Sequence, residues 1–136
     1  MTEPSRQTRS VVKERDLSHP PEKVWRALTQ KHLIEEWLMQ NDFRPTVGHR
    51  FDLEAEWGRV TCEVVAVEPP RKLAYTWQAH GLDSVVTWTL SETPTGTRLR
   101  MEQTGFGADQ EKAYRGATSG WNRFLDRFET VVAKMD

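Results

Sequence analysis

Between Arg50 and Thr104 the chain passes through five short segments built for a pleated sheet, and clusters of turn-forming residues separate them. Four alternate with period two. Phe51, Leu53 and Ala55 oppose Arg50, Asp52, Glu54 and Glu56; Leu73, Tyr75 and Trp77 share one side of Lys72 to Ala79. Val86, Trp88 and Leu90 alternate with threonines, and Leu99 and Met101 are set against Arg98, Arg100 and Glu102. This is the pattern of an antiparallel sheet covered on one face only, and the breakers between successive runs imply a meander. The rhythm then changes once. From about Asp109 to Lys134, Tyr114, Ala117, Trp121, Phe124, Leu125, Phe128, Val131, Val132 and Met135 recur at three and four, as on one face of a long helix. A long amphipathic helix after a run of strands has one apolar surface to bury itself on, the inner face of the sheet.

The remaining strand and helices lie upstream. Val11 to Leu17 reads as a first strand within Ser10 to Ser18, and His19-Pro20-Pro21-Glu22 ends it. Proline suits the opening of a helix, with Ser18 or His19 where a cap would sit. Glu22 to Thr29 and Lys31 to Met39 carry helical spacing, and Asn41 to Gly48 reads as a loop. Residues 1–9 read as a loose tail and 10–136 as one α+β domain.

Composition narrows the function classes. Nineteen Lys and Arg against twenty Asp and Glu leave a net charge of -1, without the basic footprint of a nucleic-acid binder. No run is long enough for a membrane span, and the polar N-terminus is no secretory signal. A single cysteine, Cys62, suits a reducing compartment, so a cytoplasmic location is expected. Its place in a strand argues for a buried, inert thiol. His19, His32, His49 and His80 show no ligand spacing, so no metal and no cofactor is expected. No nucleophile elbow or phosphate loop is present, and no catalytic residue is assigned.

Several local motifs add a family resemblance. Arg15-Asp16-Leu17-Ser18-His19-Pro20-Pro21-Glu22-Lys23-Val24-Trp25 resembles the strand-to-helix junction of the START-like (SRPBCC, helix-grip) superfamily, which also holds polyketide-cyclase-like proteins. Glu36-Trp37-Leu38, Val47-Gly48-His49-Arg50-Phe51, the run Val67 to Trp77, Gly96-Thr97-Arg98-Leu99 and Gly120-Trp121-Asn122 are similar to one branch of it. That branch is the group similar to the C-terminal domain of the activator of heat-shock protein 90 ATPase. The resemblance implies a helix-grip fold: a curved antiparallel sheet of about six strands around the long C-terminal helix, with two short helices after the first strand. It also implies a chaperone-associated or stress-response role, with a heat-shock protein 90-type chaperone as partner. The family's co-chaperone has an additional N-terminal domain, and the ten residues before the first strand do not replace it.

Within that fold the rings have two readings, a filled core or the wall of a pocket for a small hydrophobic molecule. The pocket reading takes Trp37, Phe51, Leu53, Tyr75, Trp77, Trp88 and Met101 from the sheet side, and Tyr114, Ala117, Trp121 and Phe124 from the helix. Trp37 and the loop from Asn41 to Val47 would then gate it. Gly116 and Gly120, inside the last helix, mark either close approach to the sheet or room left for a ligand. Arg15 and Glu63 are the polar groups that would reach such a cavity. For Glu63 this needs Val65 and Val67 on the inner face; the other register puts Val60, Cys62, Val64 and Ala66 inward and Glu63 in solvent. An inward Glu63 would supply the acid for a cyclase or hydratase.

Overall fold

The computed structural model describes residues 8–135. The tail expected over residues 1–9 lies outside the described residues as far as residue 7, and Arg9 already belongs to the first strand. The elements run in the order β1 (Arg9–Leu17), α1 (Pro21–Thr29), α2 (Lys31–Trp37), β2 (Gln40–Asn41), β3 (Arg50–Ala55), β4 (Gly58–Glu68), β5 (Lys72–Ala79), β6 (Leu82–Thr93), β7 (Gly96–Phe106) and α3 (Glu111–Lys134). All seven strands form one antiparallel sheet in the order β1-β7-β6-β5-β4-β3-β2. From β2 to β7 it is a meander, and β1 closes onto β7. The seventh strand, beyond the six expected, is the two-residue β2 at the start of the segment read as a loop; it pairs with Leu53 and Glu54.

The period-two faces land as the alternation requires. Phe51 and Leu53, then Leu73, Tyr75 and Trp77, then Val86, Trp88 and Leu90, then Leu99 and Met101 all face the interior. Gly96 allows the β6–β7 hairpin to pass under the end of β1. Its φ is +158°, and a Cβ there would stand 2.0 Å from the Leu17 carbonyl oxygen, so only glycine fits. The start of α1 differs from expectation. Pro20 occupies the N-cap position with Pro21 following, and neither Ser18 nor His19 caps the helix. The His19 carbonyl instead accepts a hydrogen bond from Thr97 Oγ1 at 2.7 Å, tying the junction to β7.

The helix α3 packs on β1 and β7 and against α1 and α2. Its second half carries large side chains, and Trp121, Leu125, Phe128, Val131 and Val132 are buried. They meet rings from the sheet and from α2. Trp121 lies 5.3 Å from Trp77 and 5.6 Å from Trp88 between ring centroids, and Phe128 lies 5.0 Å from Trp37. The Trp88–Trp121 and Trp37–Phe128 pairs are edge-to-face, an arrangement that adds about 0.5–1.5 kcal/mol beyond the area buried. Trp37 is locked further, because its Nε1 donates to the Ala27 carbonyl at 2.9 Å.

Candidate functional site

The first half of α3 is built differently. Ala113, Gly116, Ala117 and Gly120 occupy the face that large residues fill one turn later. Small side chains cannot span the gap to the sheet, and a pocket of about 540 Å³ lies there. Trp77, Trp121 and Phe124 wall it with Ala79, Leu82 and Met39. Of the two explanations left by the sequence for the glycines, one fails. A Cβ built at Gly116 or Gly120 meets no heavy atom within 4 Å, so close approach to the sheet is not their reason. They leave space.

Two adjacent hairpin tips contribute to the wall. His80 and Gly81 join β5 to β6 as a two-residue loop, both with positive φ (50° and 82°), which is the backbone that matches the twist of a tight hairpin. The β3–β4 tip presents Trp57, 53% exposed, beside the His80 ring at 5.9 Å. Gln110 Nε2 donates to the Gly81 carbonyl at 3.2 Å, holding the His80 turn against the start of α3.

Beneath the pocket runs a buried polar chain. Trp121 Nε1 donates to Gln103 Oε1 at 2.7 Å, Gln103 Nε2 donates to Ser84 Oγ at 3.0 Å, and Ser84 Oγ donates to the Trp77 carbonyl at 2.8 Å. The network therefore holds the Trp121 ring and ties Ser84 to the Trp77 main chain, and no buried side-chain polar atom among the described residues lacks a partner. The charged groups on the wall are Lys112 and Arg123, and no Asp or Glu lines it. Among the described residues, no three of His, Cys, Asp and Glu gather as a metal would require. Burial raises the Cys62 thiol far above its ordinary value, and Asp52 and Asp42 add to the effect, so it is held as the neutral thiol.

The expected residues divide among four places. Trp77, Ala117, Trp121 and Phe124 wall the pocket. Trp37, Leu53, Trp88 and Met101 are enclosed in the interior. Phe51 and Tyr75 form a separate aromatic group with Phe43, where the Tyr75 hydroxyl accepts from Trp88 Nε1 at 3.0 Å. Tyr114 turns its edge to Phe106 and carries the Arg9 guanidinium over its face at 4.0 Å.

The polar pair stands elsewhere. Arg15 faces inward, as its place beside Leu17 suggested, but it bridges to Asp126 and Glu129 of α3 rather than reaching the pocket. Glu63 lies on the outer face, 3.4 Å from Arg50, because Val60, Cys62 and Val64 take the inner positions. The gate expected at Trp37 and residues 41–47 is also displaced. Trp37 is sealed, residues 41–47 do not line the pocket, and Trp57 and His80 are among its exposed wall residues. Sequence reasoning passed over Met39, Trp57, His80, Gln103, Lys112 and Arg123 as wall residues. The signal that would have found the last two is their spacing, since Lys112, Gly116, Gly120 and Arg123 follow one stripe of α3.

Residues 18–133 match the sequence pattern of the family described as activator of Hsp90 ATPase homolog 1-like protein. The chain belongs to that family. A search of curated proteins gave no match. Among solved structures, a protein of Mesorhizobium loti is 59% identical with a TM-score of 0.91, covering 94% of this chain and 99% of that one. A Bacillus halodurans protein is 30% identical with a TM-score of 0.80, over 91% of this chain and 96% of its own. DynU16, from the dynemicin biosynthetic locus, is 23% identical with a TM-score of 0.83, covering 92% of this chain and 47% of that chain, a likeness of fold alone. Membership in this Hsp90-activator-like family places the chain among START-like (SRPBCC) domains of the ligand-binding type. No helix among the described residues is long and apolar enough to cross a membrane.

Proposed function

We propose that the chain binds a small apolar or aromatic molecule in the pocket beneath the first half of α3, without catalysing its conversion. The observation that supports this most directly is the pair of interior helical glycines facing unfilled space. Glycine inside a helix costs about 1 kcal/mol relative to alanine. Packing does not require it at either position, and a wall of Trp77, Trp121, Phe124 and Leu82 surrounds the space it leaves. A volume of about 540 Å³ falls within the range of small-molecule sites. Burial of apolar ligand surface would supply about 25 cal/mol per Å², reduced by the ordering costs of association.

Three wall tryptophans make the test direct. Titration of the protein with a panel of lipids and aromatic polyketides should give a saturable change in tryptophan emission, and Gly120→Leu should abolish it. No response from any member of the panel would refute the reading. A cyclase or hydratase role loses support from the position of Glu63, since the acid it needed lies outside the pocket. A chaperone-associated role rests on the family description alone. Unchanged ATPase turnover of a heat-shock protein 90-type chaperone at high excess of this chain would remove it.

A further inference from the structure

The charge of the pocket wall is out of proportion to that of the chain. Acidic residues outnumber basic ones by twenty to nineteen overall, yet the wall carries Lys112 and Arg123 and no carboxylate. Of the other cations near α3, Arg115 and Arg9 pair with Glu111 and Arg15 with Asp126 and Glu129, while Arg127 and Lys134 lie on α3 away from this pocket. Lys112 and Arg123 have no ion pair among the described residues. Two unmatched cations beside an apolar cavity favour a guest that brings the opposite charge.

Their placement says how such a guest would lie. Lys112 and Arg123 are eleven residues apart on α3, about 16 Å along the axis, with Gly116 and Gly120 between them on the same stripe. The flat apolar body would rest over the glycines against Trp77 and Trp121, and its acidic group would project to one end of the stripe. At the Lys112 end, the hydrogen bond from Gln110 to Gly81 holds the β5–β6 turn beside the first turn of α3.

We propose that the ligand is an aromatic acid, a planar ring system bearing a carboxylate or sulfonate, whose anionic group is read by Lys112 with Arg123 as the second cation. This rests on the pocket reading above and adds the sign of the ligand's charge. Two dyes of the same ring body test it: anilinonaphthalene sulfonate and its uncharged parent, N-phenylnaphthylamine. At low salt the sulfonate should bind about tenfold more tightly, a preference that falls as ionic strength rises. Lys112→Ala combined with Arg123→Ala should abolish the preference, and Gly120→Leu should exclude both dyes. Equal affinities in the wild-type protein, or a preference that survives the double variant, would overturn the charge inference and leave the pocket reading standing. Sulfonate binding that survives Gly120→Leu would place the anion on the outer surface and overturn it as well. Binding of neither dye would refute the pocket reading, and this inference with it.

Discussion

Replacing Gly120 by alanine should make the protein more stable, and enlarging the side chain further should remove its ligand site. The first effect follows from the backbone. Gly120 lies inside α3 without positive φ, and a Cβ there would meet no heavy atom within 4 Å, so the methyl group adds no clash. Helix propensity and the lower entropy of the unfolded chain then favour alanine by about 1 kcal/mol. An unfolding entropy of about 2.1 cal/mol/K per residue, over 136 residues, makes that about 3.5 °C in Tm. Gly116 has the same surroundings, and the double alanine variant should gain about twice as much. Leucine at Gly120 reaches into the 540 Å³ space instead, so it should keep the fold while displacing a bound dye. Thermal unfolding followed by circular dichroism, together with dye titration, reads both effects. A fall in Tm for either alanine variant would mean that the glycines are held by close packing, and the reasoning from open space would fail. Unaltered dye binding in Gly120→Leu would place the ligand somewhere else.

Gln103→Leu should cost about 1–3 kcal/mol in urea unfolding, because Trp121 Nε1 loses its buried acceptor; a neutral result would mean that the Trp121–Gln103–Ser84 chain does not hold the wall. Arg15→Ala should cost about 1 kcal/mol through the lost bridge from β1 to Asp126 and Glu129, together with the packing of its stem, and should leave ligand affinity unchanged in the same titration. Cys62→Ala reports a pH effect with a definite sign. The folded thiol is raised above its ordinary value of 9.0, so the proton is retained in the folded state and lost in the unfolded one as pH rises. The stability advantage of wild type over Cys62→Ala should therefore be constant below pH 9.0 and shrink above it by about 1.4 kcal/mol per pH unit, measured by urea unfolding at successive pH values. A difference that does not change between pH 8 and about pH 11 would contradict the burial argument.

The sheet and the last helix were legible because their side-chain periods, two and near 3.6, admit one face each. Strand β4 was not. Its residues are β-branched on both faces, and the pairing with β5 shifts between Val64 and Ala66. Val60, Cys62 and Val64 face inward before the shift, while Val67 packs against the core after it, so each candidate register holds for part of the strand. No periodicity argument predicts where an extra residue enters a ladder. The pocket was legible in kind but not in position. Aromatic composition pointed to large rings around a cavity, yet Trp37 and Trp88 are equally good core residues, and only their contacts with Phe128 and each other assign them there. Trp57 and His80 sit in turns, where sequence reasoning sees only the chain reversal. They meet because two neighbouring hairpins end at the same side of the sheet, which is a property of strand order rather than of local sequence.

The division of α3 into two halves joins stability to function. From Trp121 onward, large side chains fill the space between helix and sheet, and truncating a buried Phe or Trp of this kind costs about 3–5 kcal/mol. Before Trp121 the stripe over the pocket is reduced to Ala113, Gly116, Ala117 and Gly120, and about 1 kcal/mol is forgone at each glycine. If the second half alone anchors the helix, the first half can stay unfilled without loosening the fold. Trp121 marks the boundary: its ring belongs to the core through Trp88, to the pocket through Phe124, and to the polar chain through Gln103. A ligand resting against Trp121 therefore completes packing that the chain leaves incomplete, and occupancy should raise stability by mass action, by about 2.7 kcal/mol at a hundredfold excess over Kd.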